Sequence, residues 1–271
     1  MRIGRTAVAI FVLGLAGAAA WPAGAVDGYL AKGAAPDSIS ILPPPPAAGS
    51  VAEQQDIAAF TATRSLEGTP RWALATTDAE QSPEAAFVDF GCALGVVLDD
   101  GSAPTLSNLF ARIQKDARAV VDPPKDHYAR KRPYLLASGD ICVDKTDALA
   151  KSGSYPSGHT TLSWAWGLIL TELAPDRSTE ILLRARAYGE SRVVCGVHYP
   201  SDIEAGRTNG AGLVAALEGS AEFRADLEKA RAELDAARKA GGPKPDAGRC
   251  DIERAAEAQV PWLPAQPAAA K

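Results

Sequence analysis

The sequence predicts an all-α protein whose helices form a multi-helix bundle. Apolar residues recur at intervals of three and four in several long segments, a spacing typical of helices that pack on a core. Serine or proline stands where most of these segments begin, as helix N-termini favour. Long alternation of apolar and polar residues, the pattern of a half-buried strand, is absent throughout the sequence. Helices packed against helices are therefore the expected architecture.

The first 25 residues have the features of a secretory signal peptide. Arg2 and Arg5 precede an apolar run from Ala7 to Trp21, and Ala23-Gly24-Ala25 supplies the small residues for cleavage after Ala25. The segment is too short for a permanent membrane span, although an uncleaved anchor is the alternative. No later stretch approaches about 18 uninterrupted apolar residues. We expect a periplasmic or secreted chain without an integral membrane span.

The net charge of the chain limits the kinds of molecule that it can bind. The 271 residues carry a net charge of −5, which becomes −7 on removal of the signal peptide because that segment holds two arginines and no acid. An acidic protein binds nucleic acid poorly, so we expect no nucleic-acid partner, and any anion site must be a local basic pocket. The remaining 246 of 271 residues suffice for one large domain with a substantial core.

Four cysteines would enter an oxidising compartment. Cys92, Cys142, Cys195 and Cys250 permit two disulfides in any of three connectivities, among which the sequence does not choose. Their spacing contains no Cys-x-x-Cys pair. Cys195 and His198 form a Cys-x-x-His without a second matched pair, so no metal site is predicted.

The N-terminal part is predicted to be an arm followed by short helices. Residues 26–49 include four consecutive prolines, Pro43 to Pro46, which favour an extended arm on the surface. Ser50-Val-Ala-Glu53 matches a capping box and predicts a helix to about Arg64. Weaker patterns predict short helices over Trp72 to Asp78 and Pro83 to Leu94.

Pro104 opens the clearest amphipathic pattern, since it stands where a first helical residue belongs. We expect this helix to stop at Pro123-Pro124. The segment from Lys125 to Arg132 would then be a separate unit, and these two cations would share one face if the unit were helical. The apolar stripe of the long helix consists of Leu106, Leu109, Phe110, Ile113, Ala117 and Val120.

The centre of the core is predicted to be the helix from Leu162 to Leu173, which is apolar nearly all round. Pro156-Ser-Gly-His159 lies at its start, so this polar motif is anchored on a buried element. Asp176 to Tyr188 is the next predicted helix. Ser191 and Arg192 should lie near its C-terminal end.

The last elements are two helices and a tail. Pro200 opens a helix whose Gly206, Gly210 and Gly212 indicate close packing, or else simple helix weakening. Ala221 to Ala240 is charged and amphipathic. Residues 241–271 are rich in alanine and proline and are expected to lie on the surface or to be disordered. The helical domain is therefore predicted to span residues 50–240.

Five residues are predicted to bind an anion. Singly, a Lys or Arg is most simply a solvated surface charge, but burying several together without an anion would be strongly unfavourable. The forked Arg side chains suit phosphate oxygens. The start of the apolar helix adds free backbone N–H groups and the positive end of the helix dipole. The predicted phosphate-binding residues are Lys125, Arg132, Ser157, Gly158 and Arg192.

Two histidines would divide the chemistry. A carboxylate such as Asp202 that accepts from one ring nitrogen of His198 leaves the other nitrogen's lone pair to attack phosphorus. His159 would protonate the departing alkoxide and then activate water. This division predicts an acidic pH optimum, because His198 must be neutral while His159 is protonated. Alone, His198 and Asp202 would be a structural imidazole–carboxylate pair.

The three motifs together resemble a known signature. They are Lys-x6-Arg-Pro at 125–133, Pro-Ser-Gly-His at 156–159 and Ser-Arg-x5-His-x3-Asp at 191–202, the pattern of the type 2 phosphatidic acid phosphatase (PAP2) superfamily. Within it, the chain is similar to class A bacterial non-specific acid phosphatases over about residues 30–217. The supporting residues are Leu42-Pro-Pro-Pro-Pro46 with Gly49-Ser50, Arg64-x-Leu-x-Gly-Thr69, and Gly189-Glu-Ser-Arg192-x-x-Cys195-Gly196.

This resemblance implies a helical bundle of the acid phosphatase–haloperoxidase type and a soluble periplasmic enzyme. His198 would be the nucleophile, Asp202 its orienting partner and His159 the general acid, with the five anion-binding residues holding the phosphoryl group. His127, inside the first motif, would have no catalytic role. The resemblance further implies small phosphomonoester substrates, broad specificity, no metal or other cofactor, and commonly a homo-oligomer. Phosphotransfer to alcohols is expected where an acceptor intercepts the phosphoenzyme.

Three alternatives share parts of this pattern. A vanadium-dependent haloperoxidase would use a similar pocket, since vanadate mimics phosphate. A membrane lipid-phosphate phosphatase has the same motifs but needs several membrane spans. A non-catalytic periplasmic phosphate-binding or scaffold protein would keep the cations without using the histidines.

Overall fold

The computed structural model describes residues 26–259 and residue 262. Within them the all-α prediction is confirmed, since no residue forms a strand. The predicted signal peptide lies outside the described residues. Within residues 26–259, no helix combines the length and apolar character needed to cross a membrane. The helices are α1 (Ser38–Ile41), α2 (Val51–Thr63), α3 (Pro70–Thr77), α4 (Pro83–Leu94), α5 (Pro104–Tyr128), α6 (Asp147–Lys151), α7 (Gly158–Leu173), α8 (Ser178–Val194), α9 (Pro200–Leu217), α10 (Ala221–Lys239) and α11 (Ala247–Glu257).

Many of these helices begin with the caps that the sequence indicates. Ser50 Oγ accepts a hydrogen bond from the backbone N–H of Glu53 at 3.2 Å, and α2 starts at the next residue. The Glu53 carboxylate accepts from the N–H of Gly49 at 2.6 Å, one residue earlier than in a standard capping box. Proline occupies the first position of α3, α4, α5 and α9, where its missing N–H leaves no helical bond unmade.

The expected stop at Pro123-Pro124 is wrong, because α5 continues through both prolines to Tyr128. Pro124 cannot supply the N–H that would bond the Val120 carbonyl. The side-chain amide of Asn209, on α9, donates to that carbonyl instead, at 2.8 Å. A tertiary hydrogen bond thus replaces the one that proline removes.

The segment from Lys125 to Arg132 is not one helical unit. Lys125 lies in the last turn of α5, which is capped by Ala129 in the left-handed region with φ 43°. Arg132 lies beyond it in extended backbone, with φ −72° and ψ 150°. The two cations therefore do not share a helix face, and any contact between them depends on the following loop.

Helix α7 lies at the centre of the core and packs against both α8 and α9. Its Trp166 is fully buried. A Cβ at Gly206 of α9 would lie 2.8 Å from the Ser157 carbonyl, and Gly210 approaches α7 as closely. Gly212, by contrast, has no atom within 4 Å of its would-be Cβ. Close packing therefore explains two of the three glycines singled out in the sequence.

Helix α8 runs to Val194, beyond its predicted end, so that Ser191 and Arg192 lie in its last turns. The chain then turns and enters α9 at Pro200, which places His198 between the two helices. Since α8 and α9 both flank α7, this turn is held beside the N-terminal end of α7.

Two disulfides fix outlying segments, Cys92–Cys250 and Cys142–Cys195. The first joins α4 to α11, a helix that the sequence analysis did not predict, and α11 packs against α3 and α8. α11 presents acidic side chains to the buried Arg184 of α8. Part of the segment after residue 240 is therefore integrated into the fold.

Candidate active site

The first and third motifs meet around the carbonyl of Gly153. Lys125 Nζ donates to this carbonyl, and Arg132 Nη2 lies 3.5 Å from it. Arg132 Nη1 also reaches His198 Nε2, at 3.1 Å. Residues 125, 132 and 198 thus form one cluster, as the sequence predicts.

The second motif joins this cluster through the backbone at the start of α7. The N–H of Ser157 donates to the Asp202 carbonyl at 3.0 Å. The buried Ser157 hydroxyl caps α7 by accepting from the N–H of Thr160 at 3.3 Å. A Cβ at Gly158 would lie 4.0 Å from Lys125 Cε, so the lysine stem passes over this glycine. The two predicted loop residues therefore lie beside the predicted cations.

His198 has a defined tautomer. A guanidinium only donates hydrogen bonds, so the 3.1 Å contact with Arg132 requires a lone pair on His198 Nε2. Nδ1 then carries the proton and donates to Asp202 Oδ2 at 3.2 Å. Burial lowers the pKa of His198 well below its usual value, and Arg132, Lys125 and Arg192 lower it further. The ring is therefore neutral, with its Nε2 lone pair directed at Arg132.

His159 is held by a backbone group. Its Nε2 lies 3.0 Å from the carbonyl of Ala79, which can only accept, so Nε2 carries a proton. Nδ1 is the ring nitrogen that remains for other chemistry. Burial lowers the pKa of His159 well below its usual value and Arg192 adds to this, while the Ala79 carbonyl acts in the opposite direction.

Arg192 is a buried cation with unused hydrogen-bond donors. Its side chain is 3% exposed, and within the described part of the chain its Nε and Nη1 have no hydrogen-bond partner. Burial lowers its pKa to about 10, although Tyr188 and Asp78 act against this. Unpaired buried donors on a charged group are costly, so an anionic ligand is the partner that this side chain lacks.

Lys125 and Arg132 complete a positive pocket. Burial, together with the charge of Arg132, lowers the pKa of Lys125 to about 7. Arg132 is buried and donates through Nε and Nη1 to the carbonyls of Leu149, Ser152 and Val197. These bonds fix its guanidinium in place beside His198. Three cations in a poorly solvated space can offset the charge of a phosphate dianion.

Comparison with known proteins agrees with this geometry. The PAP2 superfamily model matches residues 106–220, which include all three motifs. An acid phosphatase of Zymomonas mobilis is 43% identical over 81% of this chain and 83% of its own length. A non-specific acid phosphatase of Providencia stuartii is 37% identical, over 76% of this chain and 84% of its own length.

This chain belongs to the PAP2 superfamily. Within it, the chain is a member of the group that contains these bacterial acid phosphatases. A non-specific acid phosphatase of Salmonella typhi is a further relative, 35% identical over 72% of this chain and 78% of its own length.

A solved structure shares the PAP2 fold at low sequence identity. A bacterial vanadium-dependent iodoperoxidase superposes with a TM-score of 0.51, at 16% identity, over 68% of this chain and 53% of its own length. The likeness establishes a common helical architecture. It gives no reason to transfer the chemistry of the iodoperoxidase to this PAP2 chain.

The PAP2 site also contains residues that the sequence analysis missed. Arg130 Nη1 donates to Asp202 Oδ1 at 2.6 Å, and its Nη2 donates to Asp56 Oδ2 at 2.8 Å. Burial raises the pKa of the Asp202 carboxyl, and Arg130 opposes this. Arg130 lies inside the first motif at a position that the motif leaves open. Asp56 comes from α2 and has no local signal in the sequence.

Two residues considered in the sequence lie outside the PAP2 site. His127 is exposed and its ring lies edge-on to Tyr128, with centroids 4.7 Å apart. Cys195 is bonded to Cys142, so its sulfur is not a thiolate ligand for the Cys-x-x-His alternative. Among residues 26–259, no group of three or more His, Cys, Asp or Glu side chains is arranged to hold a metal ion.

Proposed function

We propose that this PAP2 chain is an acid phosphatase that hydrolyses small phosphomonoesters through a phosphohistidine formed at His198, with its own side chains as the only catalytic groups. The observation that supports this most is the lone pair of His198 Nε2 facing the buried Arg132, beside Arg192, two of whose nitrogens have no hydrogen-bond partner among the described residues. A nucleophile and an anion site in one place suit transfer of a phosphoryl group.

The first half-reaction forms the phosphoenzyme. Lys125, Arg132 and Arg192 hold the phosphoryl oxygens, and His198 Nε2 attacks phosphorus with its lone pair. The bond from phosphorus to the ester oxygen breaks, and a protonated His159 passes its proton to that oxygen. The phosphorylated imidazole is positively charged, and the Asp202 carboxylate at Nδ1 stabilises it.

The second half-reaction returns the enzyme to its starting state. His159, now neutral, takes a proton from a water molecule whose oxygen attacks phosphorus. The bond from phosphorus to Nε2 breaks, and its electron pair returns to His198. Inorganic phosphate leaves, and His159 is protonated for the next turnover. An alcohol in place of water would give phosphotransfer by the same steps.

The proposal includes the setting of the enzyme. Relatives named non-specific acid phosphatases support broad specificity for phosphomonoesters. The features of residues 1–25 support export to the periplasm. The net charge of −5 supports a chain without a nucleic-acid partner. Assembly into a homo-oligomer follows from the family resemblance.

The test is an activity assay with a matched pair of histidine variants. We expect wild-type protein to hydrolyse a phosphomonoester at mildly acidic pH with chelator present. His198→Asn should lose activity by about 10⁴-fold or more, because the nucleophile is removed. His127→Asn is the control, and this change of an exposed histidine should leave turnover unchanged.

Direct detection of the intermediate completes the test. Rapid mixing with substrate and quenching in alkaline denaturant, where a phosphorus–nitrogen bond survives, should label His198. A label on serine would reject the mechanism. Tight phosphate binding with turnover unaffected by His198→Asn would indicate a binding protein instead. Oxidation of halide by peroxide with vanadate, without ester hydrolysis, would indicate the haloperoxidase alternative.

A further inference from the structure

The loop between α3 and α4 presents one backbone carbonyl to the active site. This carbonyl belongs to Ala79 and accepts from His159 Nε2 at 3.0 Å. The next carbonyl, that of Glu80, accepts from the hydroxyl of Tyr188 at 2.5 Å. Glu80 itself is exposed, so this is a surface loop, and the buried Tyr188 holds its backbone.

The residue before Ala79 is fixed more strongly. Asp78 is fully buried, and its carboxylate accepts hydrogen bonds from both terminal nitrogens of Arg184. It also accepts from the hydroxyl of Ser191 at 2.5 Å. Arg71 Nη1 donates to the same hydroxyl at 2.9 Å. Asp78 is thus held by a buried network from two helices.

These contacts come from one face of α8. Arg184, Tyr188 and Ser191 follow the spacing i, i+4 and i+7, so their side chains project on the same side of the helix. Arg192, which follows directly, is a cation of the proposed phosphate pocket with donors that are unpaired within the described residues. One helix therefore positions both the phosphate site and the loop that contacts His159.

We infer that Asp78, Arg184 and Tyr188 are positioning residues for the general acid, and that Nδ1 of His159 is the atom that transfers the proton. Together they hold the Ala79 carbonyl, which binds Nε2–H of His159 and leaves Nδ1 directed to the reacting ester. This inference rests on the proposed function and assigns residues to its acid step.

The physical argument starts from the cost of burial. A buried ion pair such as Asp78–Arg184 is a weak source of stability, because desolvation offsets much of the attraction. It does impose a specific geometry, since any other arrangement would leave a buried charge unpaired. A carbonyl on a surface loop without such contacts would be a poorly defined acceptor, and a poorly placed proton donor loses catalytic power steeply with distance.

The proton balance identifies the atom. In the protonated ring both nitrogens carry hydrogen. The Nε2 hydrogen stays on its nitrogen, hydrogen-bonded to the Ala79 carbonyl. The Nδ1 hydrogen passes to the ester oxygen as the phosphorus–oxygen bond breaks. The neutral ring that remains has its lone pair on Nδ1, ready to accept the proton of the attacking water.

The experiment compares two substitutions around Arg184. Asp78→Asn removes the charge that holds the loop, whereas Glu253→Gln removes another carboxylate, 3.5 Å from Arg184, that makes no hydrogen bond to the loop within the described residues. Each variant is assayed by kcat/KM on an alkyl phosphate, whose leaving group needs a proton, and on dinitrophenyl phosphate, whose leaving group does not. We use kcat/KM because it reports the step in which the ester bond breaks.

For Asp78→Asn we expect kcat/KM on the alkyl ester to fall about 10- to 100-fold, and on the dinitrophenyl ester by less than about threefold. Inhibition by inorganic phosphate should stay within about twofold, since the phosphate pocket is retained. Glu253→Gln should leave the ratio of the two esters unchanged. Tyr188→Phe, which keeps the buried ring and loses only the hydroxyl, should shift the ratio in the same direction by a smaller factor.

An equal loss on both esters in Asp78→Asn and Tyr188→Phe would overturn the inference and leave the loop a structural element. A wild-type protein that hydrolyses neither ester would contradict the proposed function itself. If Asp78→Asn does not fold, Tyr188→Phe alone decides, because an unchanged ratio there would also overturn the inference.

Discussion

The two histidines of the site are held in opposite ways. His198 Nδ1 is bonded to Asp202, a buried carboxylate that is itself paired with Arg130 and, through it, with Asp56. His159 Nε2 is bonded to an uncharged backbone carbonyl, and no carboxylate lies within hydrogen-bond distance of its ring in the described part of the chain. Burial holds the pKa of both rings well below the usual value, yet only one ring has a countercharge.

This difference fits the two proposed roles. A ring that attacks phosphorus becomes cationic when it is phosphorylated, and a carboxylate partner lowers the energy of that state. A ring that donates its proton must not hold it too tightly, and a carboxylate partner would raise its pKa. A carbonyl orients the ring with little effect on its charge. The structure therefore separates the orientation of a histidine from the stabilisation of its positive charge.

The largest effect is expected from a substitution of Asp202, the hydrogen-bond partner of His198. Asp202→Asn should reduce kcat by about 10⁴-fold, because an amide can donate to Nδ1 and so select the tautomer with the proton on Nε2. The loss should be the same for alkyl and dinitrophenyl esters. Asp144→Asn, a change of an exposed carboxylate, is the control and should have no effect. A loss under about tenfold would mean that Asp202 does not set the tautomer.

Removing the other histidine should give a selective loss. His159→Gln should reduce kcat/KM for an alkyl phosphate by about 10²- to 10⁴-fold, the usual contribution of a general acid. The loss on dinitrophenyl phosphate should be far smaller, because that leaving group departs without a proton. The ratio of the two substrates is the measurement. Equal losses would assign His159 to binding rather than to proton transfer.

The pH dependence should show different pKa values for His159 in the free enzyme and in the substrate complex. Burial and Arg192 hold the pKa of His159 well below its usual value, so kcat/KM for an alkyl ester should fall as pH rises through the acidic range. A bound phosphoryl group offsets the cations and raises this pKa, so kcat should fall at higher pH than kcat/KM. With dinitrophenyl phosphate, the fall in kcat/KM that accompanies loss of the His159 proton should disappear. Coincident limbs for kcat and kcat/KM would contradict this account.

The sequence was most informative where chemistry depends on side chains at fixed spacing. Lys125, Arg132 and His198 meet as the motifs predict, although the helix boundary beside Lys125 was predicted wrongly. The core helix was also predictable, because a segment that is apolar on every side has no stable place except the interior. The all-α fold followed from these periodic segments.

The partner of His159 could not be predicted in this way. A backbone carbonyl has the same chemistry at every residue, so nothing in the sequence distinguishes Ala79. Its position depends on Asp78 and Arg184, which are 106 residues apart in the chain. Similarly, α5 passes through Pro124, where Asn209 supplies a replacement hydrogen bond. Long-range partners of this kind become visible only in the folded chain.

The smallest effect is expected at Asp56, the residue of the Asp202–Arg130–Asp56 series that lies farthest from His198. Asp56→Asn leaves Arg130 in contact with Asp202 and neutralises the second carboxylate that binds the guanidinium, a carboxylate that also accepts hydrogen bonds from Ser201. We expect kcat/KM to fall about fivefold, the size of weakening one charge-assisted hydrogen bond by about 1 kcal/mol. Because this residue acts on His198, the loss should be equal for both esters, and the general-acid step should be untouched. A loss confined to the alkyl ester would show that the two histidines are coupled, and it would remove the separation between a charged partner for the nucleophile and a neutral one for the acid.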